Sequence, residues 1–194
     1  MRTKKQMGAY EICLTALAVC INMAGGQIAL ALHLPIYLDS IGTILIASLL
    51  GPWFGMLPGL LSGFFMGITV DIYSLYFAPV AMVTGFMAGL VFSRAAFSKR
   101  MLPVLAFAVT VPGTLVSSFI NAALFGGVTS SGSSLLVQLL KHTPLGLTGS
   151  IFTVQLLTDY ADRCLSMAVV SLFLYSAWGR AVRQNKGGIG NGTL

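Results

Sequence analysis

The scarcity of charged residues is what most constrains the fold of this chain. Of its 194 residues 8% are charged, whereas 56% are hydrophobic. A soluble domain carries about 25% charged residues, so this sequence has too few to cover a surface that faces water. The mean hydropathy of +0.89 instead predicts a domain in a bilayer. The same composition argues against a soluble enzyme and against a nucleic-acid-binding protein.

Six apolar segments follow one another and predict an all-α integral membrane protein with six transmembrane helices. A spanning helix needs about 20 apolar residues, and six fit this length if the connections are short. The predicted spans cover residues 9–32, 40–50, 54–70, 77–92, 101–124 and 150–178. They form one membrane domain, 9–180, between a basic N-terminal segment, 1–8, and a Gly/Asn-rich tail, 181–194, that is expected to be flexible.

The positions of the basic residues predict the orientation in the membrane. Three lie before the first span, three follow the fourth and three follow the sixth, so an even number of spans places all nine on one side. The positive-inside rule makes that side cytoplasmic, and both termini are therefore predicted to be cytoplasmic. The nine residues are Arg2, Lys4, Lys5, Arg94, Lys99, Arg100, Arg180, Arg183 and Lys186.

Polar residues within the spans concentrate in the halves that this topology places outside. Asn121 lies near the outer end of the fifth span, and the sixth carries Gln155, Asp159, Asp162 and Arg163 in its outer half. Polar groups at membrane depth are costly and are usually functional. Their distribution predicts a polar cavity that opens outward and is closed below by apolar packing, which is typical of ligand capture and not of a pore.

The charged residues of the sixth span admit three interpretations. Asp159 and Arg163 are four residues apart on one helix face, so they could form an ion pair that orients the helix and leaves Asp162 free. One of the charged groups could instead bind a ligand. The third interpretation, a carboxylate that couples transport to protons, is less favoured because no acid approaches the inner face.

Glycine recurs at every fourth residue through the third span, at Gly51, Gly55, Gly59, Gly63 and Gly67. Such a stripe of small residues lets a neighbouring helix approach closely. The pattern predicts tight helix packing within this chain. A functional alternative is a face on which helices slide or tilt against each other.

The first and third outer loops contain several candidate binding residues. The first carries Tyr37 and Asp39, and Asp39 is also suited, with Ser40, to cap the second helix. The third is rich in Gly and Ser, includes Thr129, and leads through a short apolar stretch to His142. Its flexibility and its small hydroxyl groups suit a lid over a ligand, and a solvated linker is the alternative.

The second outer loop brings an acid and two aromatic residues together. It contains Asp71, Tyr73 and Tyr76. Tyrosines at this depth often only anchor a protein at the level of the lipid headgroups. They are also suited to stack on a flat ligand, so both interpretations stay open.

Motifs of enzymes and of metal sites are absent from the sequence. It contains no GxxxxGK[ST] phosphate-binding loop and no HExxH motif, and Cys13, Cys20 and Cys164 form neither a CxxC nor a Cys/His pattern. Six-span serine proteases need a serine in a helical GxSG motif, whereas the clustered serines here lie in a loop. The sequence therefore predicts a protein without catalytic activity and with no metal or cofactor of its own.

Three segments, together with the span pattern, carry a resemblance to a known family. Six short spans, cytoplasmic termini and a glycine-rich third span resemble an S-component, the substrate-binding subunit of energy-coupling factor (ECF) vitamin transporters. The segments LPIYLDSIGT (34–43), LGPWFG (50–55) and FGGVTSSG (125–132) resemble the riboflavin-transporter-like branch in particular. The resemblance covers nearly the whole chain except its two tails.

This resemblance implies an S-component-like fold and a role in the cell membrane of a prokaryote. Such a subunit captures a vitamin or a vitamin precursor from outside, docks on a transmembrane coupling subunit driven by two cytoplasmic ATPases, and topples to release the ligand inward. The ligand would lie under the three outer loops, against the outer ends of helices four to six. The small residues that dock on the coupling subunit would be Ala16 and Cys20, with Ala24 one turn further on.

The expected ligand-binding residues are Tyr37, Asp39, Asp71, Tyr73, Tyr76, Asn121, Thr129, His142, Gln155, Asp159, Asp162 and Arg163. Stacking tyrosines and hydrogen-bonding edges suit riboflavin, pyridoxine, thiamine fragments or a nucleobase-like compound. Two other functions remain open. One is a stand-alone secondary transporter coupled to an ion gradient through Asp159 or Asp162, and the other is a structural membrane protein of the same superfamily.

Overall fold

The computed structural model describes residues 8–94, 101–142 and 144–176. Over these residues the chain is all-helical, as predicted, and contains no β-strand. Its helices are α1 (Ala9–Ala31), α2 (Ile41–Leu50), α3 (Pro52–Thr69), α4 (Ile72–Arg94), α5 (Leu102–Ile120), α6 (Ser133–Leu140) and α7 (Gly146–Tyr175). One π-helical turn, Asn121–Phe125, continues α5.

Three of these helices are long and apolar enough to cross a membrane: Ala9–Ala31, Ile72–Ser93 and Leu102–Phe125. The predicted segments coincide with α1 to α5 and α7, with boundaries that differ by up to five residues. The segment 40–50, however, is too short to cross as a helix on its own. With 10 residues, α2 is about 15 Å long, roughly half the thickness of the hydrocarbon core.

Residues 34–40, which we call the entering segment, bring the chain into the bundle before α2 begins. A Cβ on Gly25 of α1 would overlap the carbonyl oxygen of Leu38, and a Cβ on Gly42 of α2 would overlap the carbonyl of Ala18. Leu38 is therefore level with Gly25, about 9 Å along α1 from its end. The entering segment and the antiparallel α2 together cover most of the length of α1, and irregular backbone at such depth is tolerated where protein surrounds it.

The N-terminus of α2 is capped by α1 and not by its own loop. Asn22 accepts hydrogen bonds at Oδ1 from the backbone N–H groups of Gly42 at 2.8 Å and Thr43 at 3.3 Å. Ser40 occupies the cap position but makes no capping bond, and Asp39 precedes it. The prediction that Asp39 and Ser40 cap this helix is therefore wrong, because the amide of Asn22 already accepts from the free N–H groups.

The glycine stripe of α3 packs on α4. A Cβ on Gly59 would lie 2.8 Å from the Cβ of Ala81, and one on Gly63 would lie 2.8 Å from that of Ala78. These distances are shorter than real Cβ contacts, so only glycine permits the observed approach. The first glycine of the stripe, Gly51, has a φ of +94° and forms the turn between α2 and α3. The predicted tight packing within the chain is confirmed.

An apolar cluster fills the interior at one end of the bundle, which is the cytoplasmic end in the predicted topology. Its residues come from α2, from the later halves of α4 and α7, and from the first half of α5. Its buried members are Ile44, Ala47, Leu49, Ala88, Leu105, Ala106, Val109, Met167, Val170 and Leu174. Large apolar side chains also cover the outside, with Phe119 74% and Leu172 67% exposed, as is expected of helices that face lipid.

Some predictions concern residues outside the described ranges. These are the N-terminal segment up to residue 7, the end of the sixth span beyond residue 176 and the tail 181–194. The orienting basic residues also fall there, except Arg94, whose backbone ends α4. The cytoplasmic placement of both termini therefore stays a prediction.

The α3–α4 seam predicts a specific sensitivity to added methyl groups. A Cβ on Gly85 of α4 would overlap the carbonyl oxygen of Gly55 on α3. We expect Gly85→Ala to force the helices apart and to lower the free energy of unfolding by about 1–3 kcal/mol, measured as a lower thermal midpoint in detergent. Gly113→Ala on α5 is the matched control, because its Cβ would approach Thr84 no closer than 3.4 Å. Equal midpoints for the two variants would contradict the seam.

Candidate functional site

Asp162, on α7, holds the entering segment in place. Its Oδ1 accepts the backbone N–H of Leu38 at 2.7 Å, and its Oδ2 accepts the hydroxyl of Ser40 at 2.8 Å. The guanidinium of Arg163 pairs with the same carboxylate. Leu38 has a φ of +54°, a left-handed conformation that is costly for a residue with a branched side chain. The bonds to Asp162 therefore stabilise a strained backbone.

The ion pair predicted between Asp159 and Arg163 is not the one that forms. Within the described ranges Arg163 pairs with Asp162, so Asp162 is not free. Asp159 instead accepts hydrogen bonds from the hydroxyls of Thr114 at 2.8 Å and Ser117 at 3.2 Å, both on α5. Spacing along α7 alone did not reveal this, because the partners are chosen by α5 and by the entering segment.

One guanidinium faces three carboxylates in this region. Besides its partner Asp162, Arg163 interacts electrostatically with Asp159 and with Asp39. Three carboxylates against one guanidinium leave this cluster with an excess of negative charge when all three acids are ionised.

Tyr37 connects the entering segment to α6 and α7. Its hydroxyl donates to Oε1 of Gln155 at 3.1 Å and lies 3.2 Å from Oγ of Ser133. Because Ser133 begins α6, this contact fastens the third outer loop to the first.

Aromatic side chains of the second outer loop gather around Phe125 in the π-helical turn. The ring centroids of Tyr73 and Tyr76 lie 4.8 and 5.4 Å from that of Phe125, both edge-on, and Phe77 stacks on it at 6.0 Å. Contacts of this kind add about 0.5–1.5 kcal/mol each to the burial of the rings. The π turn thus supports an aromatic wall from behind.

A cleft lies between α1, α3 and α4, beneath the entering segment and residues 129–131. The space between its walls, open mouth included, measures about 720 Å³. The polar lining residues are Tyr37, Asp39, Ser62, Asp71, Tyr73, Ser74, Thr129, Ser130 and Ser131. The remainder are Gly26, Ala29, Leu30, Leu34, Ile36, Gly59, Gly63, Met66, Phe77, Ala78 and Ala81.

Asp71 fastens the Gly/Ser-rich loop over the cleft. Its Oδ2 accepts the hydroxyl of Ser130 at 2.9 Å and that of Ser74 at 3.3 Å. On the opposite side of the loop, Gly132 lies so close to the carbonyl of His33 that a Cβ would overlap it. The third outer loop is therefore held at both of the other outer loops, as a cover over the cleft requires.

Five of the twelve predicted ligand-binding residues line the cleft: Tyr37, Asp39, Asp71, Tyr73 and Thr129. The helical walls of the cleft come from α1, α3 and α4, whereas the resemblance implied a ligand against the outer ends of helices four to six, so α4 is common to both. The difference arises because the entering segment lies between the cleft and the polar face of α7.

The other seven predicted residues lie outside the cleft. Buried behind the entering segment or between α5 and α7 are Asn121, Gln155, Asp159, Asp162 and Arg163. Tyr76 is 47% exposed and supports the aromatic wall from outside, and His142 is exposed beyond α6. Asn121 is 3% exposed, and its Oδ1 has no hydrogen-bond partner in the described part of the chain.

Of the fifteen lining residues that were not among the predicted ones, four show what signal the sequence contained. Ser62 and Met66 lie four residues apart on α3, on the face beside the glycine stripe, and Ser74 and Phe77 lie on α4 just after Asp71. The i, i+4 spacing of a serine and a methionine next to the stripe was the available signal. It was weak because nothing in the local sequence shows which side of the stripe is open.

No family model, curated protein or solved structure matches this chain. The resemblance to S-components accordingly depends on the loop segments and on the order of the spans. The function is inferred from the walls, contacts and charges of the cleft itself.

Because three acids face one guanidinium, we expect Arg163→Met to lower the stability of the protein strongly. Among the described residues Arg163 is the one cation that faces Asp162, Asp159 and Asp39, so its removal leaves them unopposed, and breaking a buried pair costs about 3–5 kcal/mol. We expect a large fall in thermal midpoint and a smaller one for the double variant Asp162→Asn/Arg163→Met. A thermal midpoint of Arg163→Met equal to that of the wild type would show that Arg163 does not compensate the charge of these acids.

Proposed function

We propose that this chain is the substrate-capture subunit of an ATP-driven importer of the ECF type in a prokaryotic cell membrane. It binds a vitamin or a vitamin-precursor-like molecule from outside in the cleft beneath the outer loops. It then delivers the ligand inward by docking on a transmembrane coupling subunit, which two cytoplasmic ATPases drive. The observation that carries the proposal is a covered cleft with a closed base.

The base of the cleft is formed by the glycine seam. Gly59 and Ala81 line the cleft, and one turn further along the seam Gly55 and Gly85 are in backbone contact, where no side chain fits between them. Beyond this point an apolar cluster fills much of the bundle interior. A polar, covered chamber above the close contact of Gly55 and Gly85 favours capture followed by a movement of the whole subunit.

The entering segment supports the proposed six-span arrangement. Residues 34–40 and α2 together serve as the second crossing, with the irregular part buried between α1 and α7 and bonded to Asp162. Irregular backbone in a membrane needs such protein partners. With this crossing the count is six, and both termini are cytoplasmic.

The geometry favours capture over a stand-alone, ion-coupled transporter. A coupling acid has to exchange its proton or ion with solvent during the cycle. Asp162 is occupied by Leu38, Ser40 and Arg163, and Asp159 accepts two hydroxyls from α5. Neither carboxylate lines the cleft, so ATP-driven coupling through a partner is the better supported function. A structural role without ligand would leave the covered cleft without a purpose.

Filling the cleft tests the capture function. Ile36 lines the cleft from the entering segment, and Ile36→Trp should occupy the ligand space. We expect wild-type protein to co-purify with a vitamin-like compound, detected by mass spectrometry, and Ile36→Trp to co-purify with none. Ile68→Trp is the matched control, because Ile68 is 64% exposed on the outer face of α3, and it should keep the compound. Wild-type protein that is empty after growth in several media would refute capture.

A substitution on the outward face of α1 tests transport separately from ligand binding. Ala16, Cys20 and Ala24 are all exposed on one helix face, where small residues permit close docking of another helix. Ala16→Trp should leave the bound compound in place and abolish uptake by cells that contain the coupling module. Ala161→Trp, at an exposed alanine of α7, should retain uptake. Uptake that survives loss of the ATPases but stops with an uncoupler would favour the ion-coupled alternative.

A further inference from the structure

Among the residues that the structure describes, the charged side chains that line the cleft are acidic. Asp39 lies on the entering segment, Asp71 lies just before α4, and the described lining contains no Lys, Arg or His. The two carboxylates come from separate loops, so the fold brings them to one chamber. An anionic ligand would meet repulsion there and no compensating cation.

The Asp39 carboxylate lacks a hydrogen-bond donor from any other residue in the described ranges, whereas Asp162 accepts from Leu38 and Ser40 and pairs with Arg163. The charged groups near Asp39 are the carboxylates of Asp162 and Asp159 and the guanidinium of Arg163. Arg163 is already paired with Asp162. An ionised Asp39 therefore needs a positive partner that the described chain does not supply.

No other described basic side chain is available to supply it. The ammonium of Lys141 donates to Oε1 of Gln138 on α6, and it does not line the cleft. His33 and His142 are exposed and are likewise absent from the lining. The carboxylate of Asp39 thus faces the chamber without a cation from the described residues.

The same chamber offers aromatic faces to a cation. Tyr73 and Phe77 line it, and both rings are held from behind by Phe125. An aromatic ring attracts a positive nitrogen by about 0.5–2 kcal/mol, more when water is excluded. The aromatic wall also suits the flat body of a small molecule.

We propose that the cleft binds a small organic cation, with a protonated or quaternary nitrogen facing Asp39 and Asp71 and a flat body against Tyr73 and Phe77. This inference rests on the proposed capture function and names its substrate class. It favours amines and positively charged nitrogen heterocycles over carboxylates and phosphate esters. The hydroxyls of Ser62 and Ser131, also in the lining, remain for neutral polar groups of the ligand.

Three probes of one shape but different charge test the assignment: benzylammonium, benzyl alcohol and benzoate. Isothermal titration of the purified full chain near neutral pH should give a Kd for benzylammonium at least about tenfold below that for benzyl alcohol, which is 1.4 kcal/mol, and no binding of benzoate. Asp39→Asn and Asp71→Asn should each remove most of this preference while benzyl alcohol still binds. Glu11→Gln, at the far end of α1, is the control and should change neither.

Retention of benzylammonium affinity in both Asp→Asn variants, or binding of benzyl alcohol or benzoate that is as tight, would overturn the cation assignment.

Failure of this assignment and failure of capture give different results. If benzyl alcohol binds the wild type as tightly as benzylammonium does and Ile36→Trp abolishes that binding, the cleft captures small molecules and only the cationic class is wrong. An anionic or neutral compound found by mass spectrometry would lead to the same conclusion. If no probe binds and no compound co-purifies, both inferences fail.

Discussion

The bonds from Asp162 to the entering segment are the constraint on which the rest of the structure depends. One carboxylate accepts the N–H of Leu38 and the hydroxyl of Ser40 while it pairs with Arg163. Without it, irregular backbone within the bundle would leave polar groups unsatisfied, and each would cost about 1–3 kcal/mol. A charge buried in this way is retained because it positions the chain, whatever its net contribution to stability.

The position of the entering segment determines the cover of the cleft. Because Leu38 is held at α7, Tyr37 reaches Gln155 and Ser133, which connects the first outer loop to the third. Ser130 of the third loop then reaches Asp71 of the second. A chain of hydroxyls and carboxylates thus closes the chamber, and these bonds can exchange with water or ligand at modest cost.

The sequence was sufficient to predict what periodicity and hydropathy determine. Long apolar segments gave the helices, the spacing of glycine gave the α3–α4 seam, and the outer-loop positions of Tyr37 and Asp71 brought them to one cleft. Choices of partner between distant elements were not predictable. The capping of α2 by Asn22 leaves no local signature, because the cap comes from another helix.

The ion pair on α7 is a second case in which the local sequence did not reveal the partner of a side chain. Spacing favoured Asp159 with Arg163, since residues four apart share a helix face. Tertiary contacts gave Asp159 two hydroxyls from α5 and drew the guanidinium to the carboxylate that anchors the backbone. Local geometry decides which pairs are possible, and the surrounding helices decide which pair has the lowest free energy.

The unequal treatment of the carboxylates connects the stability of this structure to its function. Asp162 and Asp159 are supplied with donors, and they maintain the packing of α7 against its neighbours. Asp39 and Asp71 face the chamber. Asp71 accepts two serine hydroxyls, and Arg163, the guanidinium of the described residues that acts on Asp39, is already paired with Asp162. A protein that only had to fold would gain by neutralising Asp39 with an internal cation or an apolar side chain. An ionisable Asp39 in a covered cleft lowers the stability of the protein when no ligand is bound. A positively charged ligand would restore that stability by binding to the native state.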